Sequence, residues 1–460
     1  MNRLSLLTLA ASGALASLPA SANDADLKAL REEIAQMKAA YEQRIATLEA
    51  KLEKTEASAK AAEESARLAS VAASQKPSSE SAFNPGISAV LAGTYTRLSQ
   101  DPKAYAIGGF MPTGGEIGPP RRSFGLGESE IGLSANIDHL FRGQLTFSLP
   151  PEGGGADVEE AYVQTLGLGN GATLKAGRFL SGIGYINGRH AHVWDFADAP
   201  LAYKAFLGGQ IKNDGVQLKW LAPTDLLLEL GAELASGGPF PSIDRNKNGN
   251  TLGALYAHLG GDVGTSHSWR AGISLLGTSP NGREYEDTNS AGTNVTNSFS
   301  GRNRTWIIDG VWKWAPEGNA TSRSLIVQGE YFHRRETGNL GFDTTGANLI
   351  GNYASSQSGF YAQTVYQFMP NWRVGYRYDR LDAGNPDIGL VNNGTLTLAD
   401  FPALANYHPK RNTVMLDWSP SEFSRLRLQL ARDQTRPDAT DNQLWLQYIV
   451  SLGAHGAHNF

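Results

Sequence analysis

The chain has 460 residues, no cysteine, 52 glycines, 16 tyrosines and 9 tryptophans, and its formal net charge is −5. Zero cysteines exclude disulfides, thiolate catalysis and cysteine-based zinc sites. Beyond residue 83 there are 30 Lys and Arg against 34 Asp and Glu, a balance that excludes a basic face for nucleic acid.

Residues 1–22 carry Arg3, an apolar stretch from Leu4 to Leu18 and Ala20-Ser21-Ala22. A charged start, a short apolar centre and a small-x-small site read as a secretory signal peptide, which puts the mature start at Asn23. The apolar stretch is shorter than the ~20 residues of a spanning helix. No later run reaches that length, so a membrane crossing is expected from strands.

Residues 23–75 are a different polymer, with no Gly and no Pro. Apolar residues step by three and four through Leu27, Leu30, Ile34, Met37 and Tyr41, then Ile45, Leu48 and Leu52. The seam continues as Thr55, Ala59, Ala62, Ala66, Ala69 and Ala73. This spacing predicts a coiled coil with one stutter between Tyr41 and Ile45. At ~1.5 Å per residue it would be roughly 75 Å long. Residues 76–84 read as a linker.

From 85 to 460 the pattern becomes period two. Strands are predicted at 87–98, 129–137, 144–149, 156–165, 173–179, 215–221, 226–234, 252–259, 269–276, 306–314, 325–334, 360–368, 372–379, 413–418 and 423–431. The last strand, 444–460, places Leu446, Tyr448, Val450 and Leu452 on one face, and Gln447, Ser451 and Gly453 on the other. Apolar-out, polar-in alternation with short and long links in turn predicts an all-β transmembrane barrel of about 16 antiparallel strands, preceded by the N-terminal α-helical coiled coil. Aromatics at strand ends, including Trp306, Trp312, Trp372, Trp418, Trp445 and Tyr448, are assigned to the two interface girdles. The opposite phase carries Glu128, Glu130, Arg142, Lys219, Glu229, Arg270, Glu330, Arg373 and Arg377, which are assigned to a wet lumen because ionised groups need water or partners.

The richest segment outside the strands is 177–210, and within it an inward loop is expected over 180–208. It supplies the predicted pore constriction: Arg178, Tyr185, His190, His192, Asp195, Asp198 and Lys204. His190-x-His192 with nearby carboxylates is also a candidate zinc site, since imidazole with carboxylate suits that ion. A second pair, His455 and His458, falls on opposite faces of the last strand. No nucleophile elbow or phosphate-cradling loop is present, so no catalytic residue and no obligate cofactor are assigned.

These residues carry a family likeness. Gly177-Arg178-Phe179 leading into an inward loop, the terminal Phe460 and the length of 85–460 resemble Gram-negative outer-membrane porins of the broad group that includes the phosphate-selective porins. Segments 177–210 and 448–460 more closely resemble uncharacterised barrel proteins often labelled zinc-regulated or TonB-dependent outer-membrane receptors. The first resemblance implies a trimeric 16-stranded channel for small solutes, inserted among outer-membrane lipid by the barrel assembly machinery, with Phe460 as assembly signal. The second implies a link to zinc. Three functions follow: a porin for passive diffusion, a zinc-linked uptake protein, and an envelope tether whose periplasmic coiled coil contacts peptidoglycan.

Overall fold

The computed structural model describes residues 32, 35–40, 42–43, 45–46 and 85–453, apart from 115–116, 150–154, 239 and 244–247. The chain divides into two units, Met1–Ala82 and Phe83–Phe460. In the first, the described residues are helical and exposed, with Lys38 Nζ 3.9 Å from Glu42 Oε1 one turn later. The signal peptide, most of the coiled-coil seam, the linker 76–84, His455, His458 and Phe460 lie outside the described residues.

In the second unit, alternation closes a single antiparallel barrel of sixteen staves. In order these are β1 (Gly86–Leu98), β2 (Ser129–Asn136), β3 (Phe141–Leu149), β4 (Asp157–Thr165), β5 (Ala172–Leu180), β6 (Lys212–Leu221), β7 (Leu227–Ala235) and β8 (Leu252–Val263). They continue as β9 (His267–Thr278), β10 (Asn294–Trp314), β11 (Ser324–Phe342), β12 (Leu349–Met369), β13 (Trp372–Asp382), β14 (Lys410–Ser421), β15 (Ser424–Gln434) and β16 (Asp441–Gly453). Three short strands, Ser123–Leu126, Arg283–Thr288 and Asp387–Ile388, add to the loop-side ends of β1, β10 and β12. The barrel closes where β1 pairs with β16, from Ser88 opposite Gly453 to Leu98 opposite Gln443.

The wall follows the two-residue period of its sequence. Along β15, Leu428 and Leu430 face out and stay exposed, while Arg427, Gln429 and Ala431 face in and are buried. On β16, Leu446, Tyr448 and Leu452 lie outside and Gln443 and Gln447 inside. Trp445 is a correction to the girdle assignment. Its parity puts it in the interior, buried, with Nε1 donating to Gln443 Oε1 at 3.1 Å. Trp372 and Trp418 do stack at the wall's end, with ring centroids 5.9 Å apart.

Links such as 137–140, 264–266 and 370–371 form a short-turn rim, to which the start of β1 and the end of β16 also belong. The opposite rim carries 99–128, 181–211, 236–251 and 383–409. There, Met111, Phe299, Phe342, Tyr353, Leu390 and Phe401 form an apolar cluster tying two of these loops to β10, β11 and β12.

The cysteine-free chain makes the inside–outside assignment directly testable. Gln144 shares the inward phase of β3 with Thr146, and Leu145 faces out. In liposomes, Gln144→Cys is expected to react with a water-soluble, membrane-impermeant thiol reagent and Leu145→Cys to resist it. Equal labelling would overturn the assignment.

Candidate functional site

Between β5 and β6 the chain leaves the wall for residues 181–211 and folds into the interior. A 3-10 turn, Ala191–Val193, and a helix α1, Leu201–Leu207, are its regular elements. All seven residues of α1 are buried, because Leu-Ala-Tyr-Lys-Ala-Phe-Leu offers apolar groups on every side. Phe206 stacks on Phe332 at 5.7 Å and meets Phe110 edge-on at 5.5 Å.

A buried helix leaves orphan amides at its start and orphan carbonyls at its end. Here the wall satisfies both. Leu201 N donates to Asp379 Oδ1 of β13 at 2.9 Å, and Arg334 Nη1 of β11 donates to Ala205 O at 3.2 Å. An acid at the amino end and a base at the carboxyl end also suit the helix dipole. Gly208 then ends the helix in the left-handed region (φ 70°), where a side chain would strain the turn.

The segment's charges are met by the wall. Asp198 is the hub: Lys204 Nζ lies 3.1 Å from its Oδ2, Arg377 Nη2 and Gln429 Nε2 each 3.1 Å from its Oδ1, and Arg411 also bonds it. Burial opposes its ionisation, but Arg411, Lys204 and Arg377 hold its carboxyl well below the usual carboxylate range. Burial also pulls the Lys204 ammonium below its ordinary value, against the attraction of Asp198. Asp195 Oδ1 accepts from Arg373 Nη1 at 2.9 Å, and the Trp194 carbonyl accepts from Arg427 Nη2 at 2.8 Å.

The opposite flank is anchored through neutral donors. Glu330 of β11 accepts from the Tyr203 hydroxyl at 2.9 Å, the Tyr361 hydroxyl at 2.7 Å, Tyr185 N at 3.1 Å and Ile186 N at 3.3 Å. Gly184 sits beside this cluster at φ 64°, and a Cβ there would lie 2.4 Å from Glu330 Oε2. Glu233 of β7 takes Ser181 Oγ at 2.6 Å and Gly182 N at 2.8 Å. The guanidinium of Arg189 covers the Tyr185 ring at 4.4 Å, with that of Arg270 at 5.3 Å. His192 Nδ1 reaches Glu130 of β2 at 2.9 Å, and His190 Nε2 reaches Glu160 of β4 at 3.1 Å. Its partners thus run around the wall from β2 to β15.

Two expectations change here. Arg178 is not in the interior. Its parity matches that of Leu174 and Ala176, and it faces out beside Asp214, with Nε 2.6 Å from Oδ1. The expected wet lumen is in part a packed, paired one: Arg334, Arg377, Arg411 and Arg427 are among the largest fully buried side chains. Buried charges persist where partners and hydrogen bonds replace water. Water-exposed interior groups remain at Arg142 on β3 and at the Lys219–Glu229 pair, 2.6 Å apart, which His258 joins. Glu128, just ahead of β2, lies with Glu130 and Glu159.

Sequence reasoning missed Arg411, Gln429, Glu159 and Glu160 as partners of the segment. The last two had a signal. Adjacent acids break the alternation of a wall strand, and a bulge opposite Thr146 and Phe147 turns both inward.

No family model matches the chain. OmpT, an outer membrane protein of Vibrio cholerae, in its loop L8 deletion form, has a TM-score of 0.50 and 11% identity over 80% of this chain and 99% of that one. Its in-vitro folded trimer form gives the same values. At that identity the likeness is one of fold. An uncharacterized protein of Aquifex aeolicus (strain VF5) is 32% identical over 359 residues, 74% of this chain and 71% of that protein. The chain belongs to the same protein family as this Aquifex aeolicus protein.

Proposed function

We propose that the protein is an outer-membrane channel for passive diffusion of small hydrophilic solutes, narrowed by the inward segment 181–211. The observation that carries this reading is the sorting of the closed wall. Apolar residues such as Leu255, Ile308 and Leu446 stay exposed outside, while the inward faces carry charged and amide side chains such as Asp417, Arg427 and Gln429 beside the apolar cluster that seats α1. That sorting suits a barrel between lipid and an aqueous interior. The barrel fold shared with the Vibrio cholerae outer membrane protein supports it, and that protein's trimer form supports a homotrimer here. The coiled coil 23–75 would then hold three barrels together from the periplasm. Membership of the phosphate-selective group rests on the likeness around Gly177-Arg178-Phe179, and the outward Arg178 removes one anion-binding candidate from the lumen.

Solute size is set by the gap the segment leaves, and selectivity by the charges on each side of it. Because the segment is bonded to staves on every side, the conductance expected in a planar bilayer is small and steady, in steps arriving in threes. Electrical silence of correctly folded protein would sink the diffusion channel and favour the envelope tether.

A further inference from the structure

The inward segment meets β2 and β4 through imidazole and carboxylate groups. Glu130 lies between the two histidines, with Oε2 2.9 Å from His190 Nδ1 and Oε1 2.9 Å from His192 Nδ1. The two rings stand 5.6 Å apart, tilted by 33°. One donor atom from each of Glu130, His190 and His192 falls within 4.8 Å of the others, and Glu128, Glu130 and Glu159 form an overlapping trio.

Two buried atoms in this cluster, His190 Nδ1 and Glu159 Oε2, lie 3.4 Å apart and make no aligned hydrogen bond, Nδ1 being held by ion contacts to Glu130 and Glu159 alone. The other side of the His190 ring is occupied, with Nε2 against Glu160 Oε2 at 3.1 Å. With Nε2–H donating to Glu160, Nδ1 faces Glu130 and Glu159, where a bound ion would replace its proton. A carboxylate that takes one ring N–H and turns the other nitrogen toward a common point is how metal-binding histidines are held.

The charges agree. Four carboxylates (Glu128, Glu130, Glu159 and Glu160) surround two imidazoles. With both imidazoles neutral, as ligands must be, the cluster is net acidic and favours a divalent cation. Two imidazole nitrogens with carboxylate oxygens suit zinc and its first-row neighbours. At metal–ligand distances near 2.0–2.1 Å, tetrahedral donors stand about 3.3 Å apart, and His190 Nδ1 already lies near that spacing from Glu130 (2.9 Å) and Glu159 (3.4 Å).

We propose that Glu130, His190 and His192, with Glu159 as fourth ligand and Glu160 as orienting carboxylate, form a site for a first-row divalent ion of the zinc class that bridges β2 and β4 to the inward segment. The bound ion would cross-link the segment to a part of the wall that Asp198 and Glu330 do not hold. The site is independent of conduction, so its failure and that of the channel reading are separable.

The test is calorimetry of the full chain in detergent with zinc chloride. Wild type is expected to take one ion per chain with micromolar or tighter affinity. His190→Ala/His192→Ala and Glu130→Gln are expected to weaken binding by about 100-fold or more, and Glu160→Gln by roughly 10- to 100-fold, the usual cost of an orienting carboxylate. His455→Ala/His458→Ala should bind as wild type does. Cobalt(II) titrated into wild type gives a readout free of any folding defect, with an intense visible band expected from a four-coordinate site. No saturable heat, unchanged binding in His190→Ala/His192→Ala, loss confined to His455→Ala/His458→Ala, or only the faint spectrum of hydrated cobalt would each overturn the site.

Discussion

Asp198→Ala is expected to leave the barrel folded while freeing the inward segment, with larger and noisier single-channel steps than wild type. The carboxylate bonds three cations whose side chains are 1–5% exposed. After its removal Arg377 keeps Asp379 at 3.0 Å and Arg411 keeps Asp433 at 3.7 Å, but Lys204 loses the carboxylate it bonds. Leaving a buried charge without its partner costs ~3–5 kcal/mol. The cost falls on the docking of the segment, because the wall's backbone ladder does not depend on it. Three kcal/mol is about two decades in the open population. Cleavage within 181–211 by added protease, which tracks that population, should accelerate about 100-fold. Wild-type conductance together with wild-type protease resistance would show that Asp198 is not an anchor.

The same carboxyl fixes the pH range in which the anchor holds. Its folded pKa is depressed, so its stabilisation is present above the ordinary carboxylate value of ~3.9 and fades only as pH falls toward the depressed one. From neutral pH to about 5, Asp198 should add no pH dependence to wild-type conductance.

Glu330→Ala is expected to be the second most disruptive change, for a different reason. Glu330 is met by two hydroxyls and two backbone amides, all buried. Each donor left unsatisfied costs ~1–3 kcal/mol. Because they share one acceptor the losses will not simply add, and about 3 kcal/mol in total is expected. Glu330→Gln keeps one carbonyl oxygen in place and should fall between the alanine variant and wild type. The temperature at which the folded barrel loses its compact gel mobility should rise in the order Glu330→Ala, Glu330→Gln, wild type. A glutamine variant no better than alanine would refute the acceptor role.

The number and order of the staves were legible because every stave crosses from one environment to another, and parity in the sequence records which. Their lengths were less so. The strand predicted at 360–368 runs Leu349–Met369, and that predicted at 325–334 runs Ser324–Phe342. In the added stretches the outward face turns polar, as at Asn339, Asn352 and Ser356, while the inward face keeps buried Leu340, Phe342 and Tyr353 and pairing continues. Without an outward apolar phase the lipid-facing alternation is lost, although the hydrogen-bond ladder persists. Arg178 shows the opposite error, since its place in a motif outweighed its parity. The inward segment announced itself by length and by its charges, but which wall residue each charge meets depends on where staves far apart in sequence come together. Asp198 and Arg411, 213 positions apart, could not be paired from the sequence.

The seam between β1 and β16 also dictates an order of assembly. It joins the first and last staves of the barrel sequence, so it can zip only after every other stave has been delivered. Contacts of such long range make folding slow, and until they form, two strand edges stand open to pairing with other chains. The docking of the inward segment 181–211 comes later still. Its partners are spread from Glu130 to Gln429, and no partial wall presents them all. Before closure, Asp198, Arg377 and Arg411 remain hydrated and cost the chain little. Only in the finished cylinder do they lose water and find one another, so the interior locks last.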